Sequence, residues 1–217
     1  MKTENKYLKT LFAVLFFGGL WGILEATLGT LLHLPGFDNL GIFGSSTAIM
    51  LPIAYSIMGA CYKKTGNFRS VIYIGAIAAS FKLISCAIFH LAFNPAMWIM
   101  LEALSGALVV LVIRPKKVLS LKSLGAFVIA TTLYLSAFSM IKFGGFNADK
   151  FVKYVVISNS VAILYALVGG LIVFGVSKLM EKKNIKIPSI DKLIASPIVP
   201  SIVAILGLTL TVVCQLF

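Results

Sequence analysis

The chain has 217 residues, 59% of them hydrophobic and 12% charged, with a mean hydropathy of +1.02. Soluble domains carry about 25% charged residues, so this composition excludes one and specifies an all-α polytopic membrane protein, in which each apolar run satisfies its backbone hydrogen bonds as a helix. The net charge of +12 raises nucleic acid as a partner, and the placement of the cations in alternate loops excludes it.

Apolar runs and breakers predict seven spans. The first, about 8–33, is long enough to cross a bilayer and lacks a small-residue cleavage site, so it reads as a mature span rather than a signal peptide. It contains LWGILEATLGTLLH, which sets Glu25 and His33 among apolar neighbours. Gly18, Gly22, Ala26 and Gly29 on this span allow another helix to approach closely. After PGFDN comes the second span, about 41–62, whose start FGSST carries Ser45, Ser46 and Thr47. KKTGN separates it from the third, about 69–93, which holds Lys82, Cys86 and His90. Asn94 and Pro95 open the fourth, about 96–114, where Trp98 and Glu102 repeat the W-x-x-L-E-A-x-x-G pattern of Trp21 and Glu25.

RPKK leads to the fifth span, about 119–142, and GGFNAD to the sixth, about 152–178, with Asn159 and the glycines 169, 170 and 175. A seventh, about 197–217, follows the longest polar stretch and starts with Pro197 and Pro200. The expected organisation is a six-helix core over 1–180, a cytoplasmic linker over 181–196 and an accessory transmembrane helix over 197–217. Cys61, Cys86 and Cys214 have no CxxC spacing, which suggests neither a disulfide framework nor a zinc site.

Charge sets the topology. With seven spans, fifteen Lys and Arg residues fall on one side, against Lys142, Lys150 and Lys153 on the other, with Lys82 inside a span. The positive-inside rule then places the chain in the cell membrane with its N-terminus cytoplasmic and its C-terminus outside.

Ionisable side chains inside spans cost roughly 2.5–3.5 kcal/mol each at the helix centre and usually face a cavity or a partner. Counting along each helix puts Glu25, Lys82 and Glu102 in one layer of the outer half. His33 and His90 lie in a second layer about 12 Å nearer the outer surface. Eight-residue spacing puts Glu25 with His33, and Lys82 with His90, on one helix face each. A purely structural ion cluster would leave one carboxylate in excess, to be protonated, solvated or matched by a ligand.

There is no GxxxxGK[ST], HExxH or GxSxG, and the loops are too short for an ATPase domain, so neither an enzyme nor a self-contained ATP-driven pump is expected. A small bundle with an outward polar pocket and a glycine-lined first helix resembles the substrate-binding S components of energy-coupling factor (ECF) vitamin transporters. The nearest match to that family's small-residue docking motif is Gly18, Gly22 and Ala26 in GGLWGILEA, and a seventh span departs from the usual six.

The resemblance implies high-affinity capture of a vitamin-like micronutrient, with a transmembrane coupling subunit and cytoplasmic ATPases as partners alongside the lipid bilayer. Glu25, Lys82 and Glu102 would contact the ligand, Trp21 and Trp98 would line the site, and His33 and His90 would meet it at the mouth. The two imidazoles would also suit a haem, a corrinoid or a transition-metal ion. A proton-coupled secondary transporter using Glu25 and Glu102, with Lys82 as counter-charge, remains an alternative. So does a membrane assembly protein in which the polar set is structural.

Overall fold

The computed structural model describes residues 2–32, 46–90, 92–115, 120–182 and 189–214, and every regular element among them is helical. In chain order these are α1 (Lys2–Leu31), α2 (Ser46–Thr65), α3 (Arg69–Ile88), α4 (Asn94–Ile113), α5 (Leu121–Phe143) and α6 (Ala148–Phe151). A π-helical turn (Val152–Ile157) leads into α7 (Ser158–Lys182), followed by the short α8 (Ile190–Leu193) and by α9 (Ile198–Val213).

Local chemistry explains the boundaries. The Ser120 side chain accepts from Ser123 N at 3.1 Å to cap α5, which stops where Gly144 adopts the left-handed backbone (φ 67°). Asn147 Oδ1 accepts from Lys150 N at 3.0 Å and starts α6. A proline near the first turn of α4 meets no missing donor, because the first N–H groups of a helix have no intrahelical acceptor.

Among the described residues, five stretches are long and apolar enough to cross a membrane: Tyr7–Gly29, Arg69–Ile88, Asn94–Ile113, Lys122–Phe143 and Ala148–Ile172. This is the make-up of a membrane-embedded helical bundle. The second and seventh expected spans are also helical but differ in kind. Helix α2 contains Pro52 and ends in Lys63 and Lys64, and α9 is 16 residues long.

Helix α1 lies between α3 and α9, α4 packs on α3 and α5, and α2 packs on α7. Small residues set the closest approaches. A Cβ on Gly19 would fall 2.7 Å from the Ala204 backbone, and one on Gly207 would fall 2.7 Å from Gly19 O. On an adjoining face of α1, a Cβ on Gly18 would lie 2.9 Å from Ile77 Cβ, and one on Gly22 2.5 Å from the Phe81 ring. The glycine face of α1 that the sequence offers to a docking partner is therefore covered by α3 of the same chain, and Ala26 is buried too. The helix expected to be accessory, α9, is seated against α1 and α3, with Ser85 Oγ donating to Thr211 O across the junction at 3.1 Å.

The main core lies where α1 to α4 meet, around the fully buried Trp21, Ile74 and Met58. The stretch before α9 reaches back to this core: Ile194 is buried in it, and Asp191 forms an ion pair with Lys64 at the end of α2.

Candidate functional site

Each of the first five helices contributes one titratable side chain to a common region. Helix α1 supplies Glu25, whose Oε1 accepts from Trp21 Nε1 at 3.2 Å, one helical turn away. Its Oε2 lies on the Gly29 side, 3.4 Å from where a Gly29 Cβ would stand. Helix α3 supplies the half-buried Lys82, which acts electrostatically on Glu25 at longer range than a direct ion pair. Helix α4 supplies Glu102, which is only 5% exposed and within electrostatic reach of Glu25. Of the expected layer, Glu25 is thus within electrostatic reach of both Lys82 and Glu102.

The other two groups were not singled out from the sequence. Tyr55 of α2 shares a 2.5 Å hydrogen bond with Ser105 Oγ and reaches Ala130 O of α5 at 3.2 Å, while Ser105 Oγ donates to the Glu102 carbonyl at 2.8 Å. One phenol therefore ties α2, α4 and α5 together beside Glu102. Tyr134 of α5 is buried and within electrostatic reach of both glutamates. A tyrosine in a membrane helix carries no charge to flag it, and no spacing in the sequence links positions 55 and 134 to residue 102.

In this setting Glu102 Oε1 is buried with no hydrogen-bond partner among the described residues. A buried acceptor left unsatisfied costs about 1–3 kcal/mol. The surrounding groups do not remove that cost, because the Tyr55 and Ser105 hydroxyls are turned to each other and to main-chain carbonyls.

The second expected layer is not assembled among the described residues. His33 lies outside them. His90 is exposed beyond the end of α3, in the left-handed backbone region at φ 53°, where a non-glycine residue is uncommon. Cys86 is buried. Among the described residues, no group of three or more His, Cys, Asp or Glu side chains is arranged to hold a metal ion. Of the hydroxyl stretch at the start of the second span, Ser45 is outside the described residues and Thr47 is half-buried in α2. Asn159 is engaged within the bundle: Thr131 Oγ1 donates to its Oδ1 at 2.5 Å, and its Nδ2 donates to Thr132 Oγ1 at 2.7 Å.

One turn from Glu102 along α4, Trp98 lines a cavity of about 380 Å³ together with Asn94, Met97, Ile141 and Lys142. The Trp98 ring meets Phe138 edge-on at 4.6 Å, and Phe138 continues to Tyr134 (6.0 Å) and Tyr154 (6.3 Å). The two copies of the W-x-x-L-E-A-x-x-G pattern are therefore used differently. Trp21 is fully buried and bonds to its glutamate, whereas Trp98 faces a cavity and leaves Glu102 without that donor.

Comparison with known protein families, curated proteins and solved structures gives no match for this chain.

Proposed function

We propose that the chain is the membrane-embedded capture subunit of an uptake system for a vitamin-like micronutrient, energised by a separate ATPase module. The observation that carries this reading is Glu102 Oε1, a buried acceptor with no partner among the described residues, within electrostatic reach of three other titratable side chains, Glu25, Tyr55 and Tyr134. A ligand with an N–H or O–H group meets that need, and low local polarity strengthens the bond once water is excluded. Glu25 supplies a second acceptor and Lys82 a cation to offset one carboxylate.

The cavity beside Trp98 is the entrance, one turn from Glu102. With the N-terminus in the cytoplasm, seven crossings put this entrance at the outer surface and the C-terminus outside. The α1 glycine face is filled by α3, so in this reading a coupling subunit docks on a different face.

The proximity of Glu25 to Glu102 favours one rival, a proton-coupled secondary transporter in which the carboxylates exchange protons against Lys82. Purification from cells grown in rich medium, followed by mass spectrometry of bound small molecules, separates the two. The capture subunit should carry a stoichiometric organic ligand that is absent from folded Glu102→Gln, and should bring down ATPases with a coupling subunit. An empty protein that alone moves protons in liposomes, with Glu102→Gln inactive, would replace this reading by the rival.

A further inference from the structure

The positive-inside pattern leaves three cations out of place. Lys142, Lys150 and Lys153 are the only Lys or Arg residues assigned by the sequence to the side opposite the other loops. Topology gives no reason for them, and the structure brings them to one place. Lys142 Nζ stands 5.1 Å from the Phe138 ring centroid, 5.7 Å from Tyr154 and 6.0 Å from Phe143. Lys150 Nζ lies 5.3 Å from Phe143, and Lys153 Nζ lies 5.8 Å from Tyr154. All three lysines are exposed, and Asp149 is the one carboxylate between residues 134 and 160.

Lys142 also lines the cavity of about 380 Å³ against Trp98, a volume within the range of about 300–1,000 Å³ typical of small-molecule sites. The cavity thus has one aromatic face, Trp98, and one cation, Lys142, with Lys150 and Lys153 held nearby through Phe143 and Tyr154. A ring stacks on an indole at low entropic cost, and a cluster of like charges at a cleft raises the local concentration of the opposite ion. The Tyr154 position depends on the π-helical turn Val152–Ile157, an irregularity often found at functional sites.

We infer that the cavity between α4 and α5 binds a planar organic anion, its ring against Trp98 and its carboxylate or phosphate on Lys142, with Lys150 and Lys153 drawing it in. This deepens the capture reading by naming the class of substrate. Glu102, one turn deeper, then receives a donor group at the far end of the same molecule.

The test uses the full chain in detergent at low ionic strength and follows quenching of tryptophan fluorescence by 4-nitrobenzoate and by its neutral isostere 4-nitrobenzamide. Saturable quenching is expected, at about tenfold lower concentration for the anion. Lys142→Gln should erase that preference and Lys142→Arg keep it, while Trp98→Phe should lose the saturable quenching altogether. Lys142 is exposed, so its variants report on binding even where Trp98→Phe does not fold.

Equal quenching by both compounds, or an unchanged preference in Lys142→Gln, would overturn the inference. Benzoate should displace the probe and acetate should not, and displacement by acetate would remove the ring from the recognition. Displacement by dihexanoylphosphatidylglycerol but not by benzoate would assign the lysines to lipid headgroups and also defeat the proposal. These outcomes are independent of the co-purified ligand and its loss in Glu102→Gln, so the capture reading and the anion cavity fail separately.

Discussion

The two flanks of the bundle are held together by different chemistry. On the flank of α1, α3 and α9 the helices meet backbone to backbone, through Gly19 against Ala204 and Gly207 against Gly19 O. On the flank of α5 and α7 a Cβ on Gly125, Gly169 or Gly175 would meet nothing within 4 Å among the described residues, and the contacts include the Thr131, Asn159 and Thr132 hydrogen bonds and a string of aromatic rings. Lipid gives apolar helices no hydrophobic reason to associate, so close packing and polar bonds must do it. Close packing makes one flank rigid. Polar bonds and rings leave the other with a cavity and exposed cations. The glutamates lie between the two flanks.

The largest effect should come from breaking the tight flank. In Gly19→Leu the side chain would begin 2.7 Å from Ala204 main-chain atoms, and backbone cannot give way as a flexible side chain can. A loss of about 3 kcal/mol is expected, at the upper end for overpacked sites, seen as a lowered thermal midpoint in detergent. Gly169→Leu, with open space around it, should leave that midpoint nearly unchanged. Equal effects at the two positions would erase the contrast between the flanks.

Next in size is the centre. Glu102→Met removes the buried acceptor that has no partner, and should raise the stability of the ligand-free protein by about 1–2 kcal/mol while abolishing ligand-induced stabilisation. Thermal shifts with and without the co-purified ligand measure both. A destabilised Glu102→Met would mean that the carboxylate holds the fold together instead of awaiting a donor.

The loose flank should respond less. Asn159→Ala removes two side-chain bonds, yet Thr131 and Thr132 keep main-chain acceptors at 3.0 Å and 2.7 Å on their own helix. No buried donor is orphaned, so a cost near 1 kcal/mol is expected. A double-mutant cycle with Thr131→Val checks that the loss arises from the pair.

The same contrast explains what the sequence reveals. Helical class follows from hydropathy, and the nearness of Glu25 to Lys82 and to Glu102 agrees with a rise per residue that turns position into depth. Which side of a helix meets which neighbour does not follow, because in an apolar bundle nearly every face is greasy. The glycines of α1 therefore suggest a docking surface, whereas Ile77, Phe81 and Ala204 of the same chain fill the space. Tyr55 and Tyr134 enter the site through contacts between helices that no local pattern encodes. The π-helical turn places Tyr154 without any sequence mark.

The smallest effect concerns the link between α7 and α9. Asp191 is 70% exposed and Lys64 32% exposed, and an ion pair so open to solvent is worth about 0–1 kcal/mol. Ile194, three residues on, is buried in the main core at 3% exposure. Burying an isoleucine is worth about 1.5–3 kcal/mol, so the apolar side chain rather than the charge holds this segment against the bundle. Asp191→Ala should shift the thermal midpoint little, and less still in 0.5 M salt as screening rises, while Ile194→Ala should lower it clearly. The order of the two matters more than either value. If Asp191→Ala were the more damaging, the segment would be latched to the lysine-rich end of α2 by charge, and the tight flank would owe part of its rigidity to an electrostatic tie instead of to packing alone.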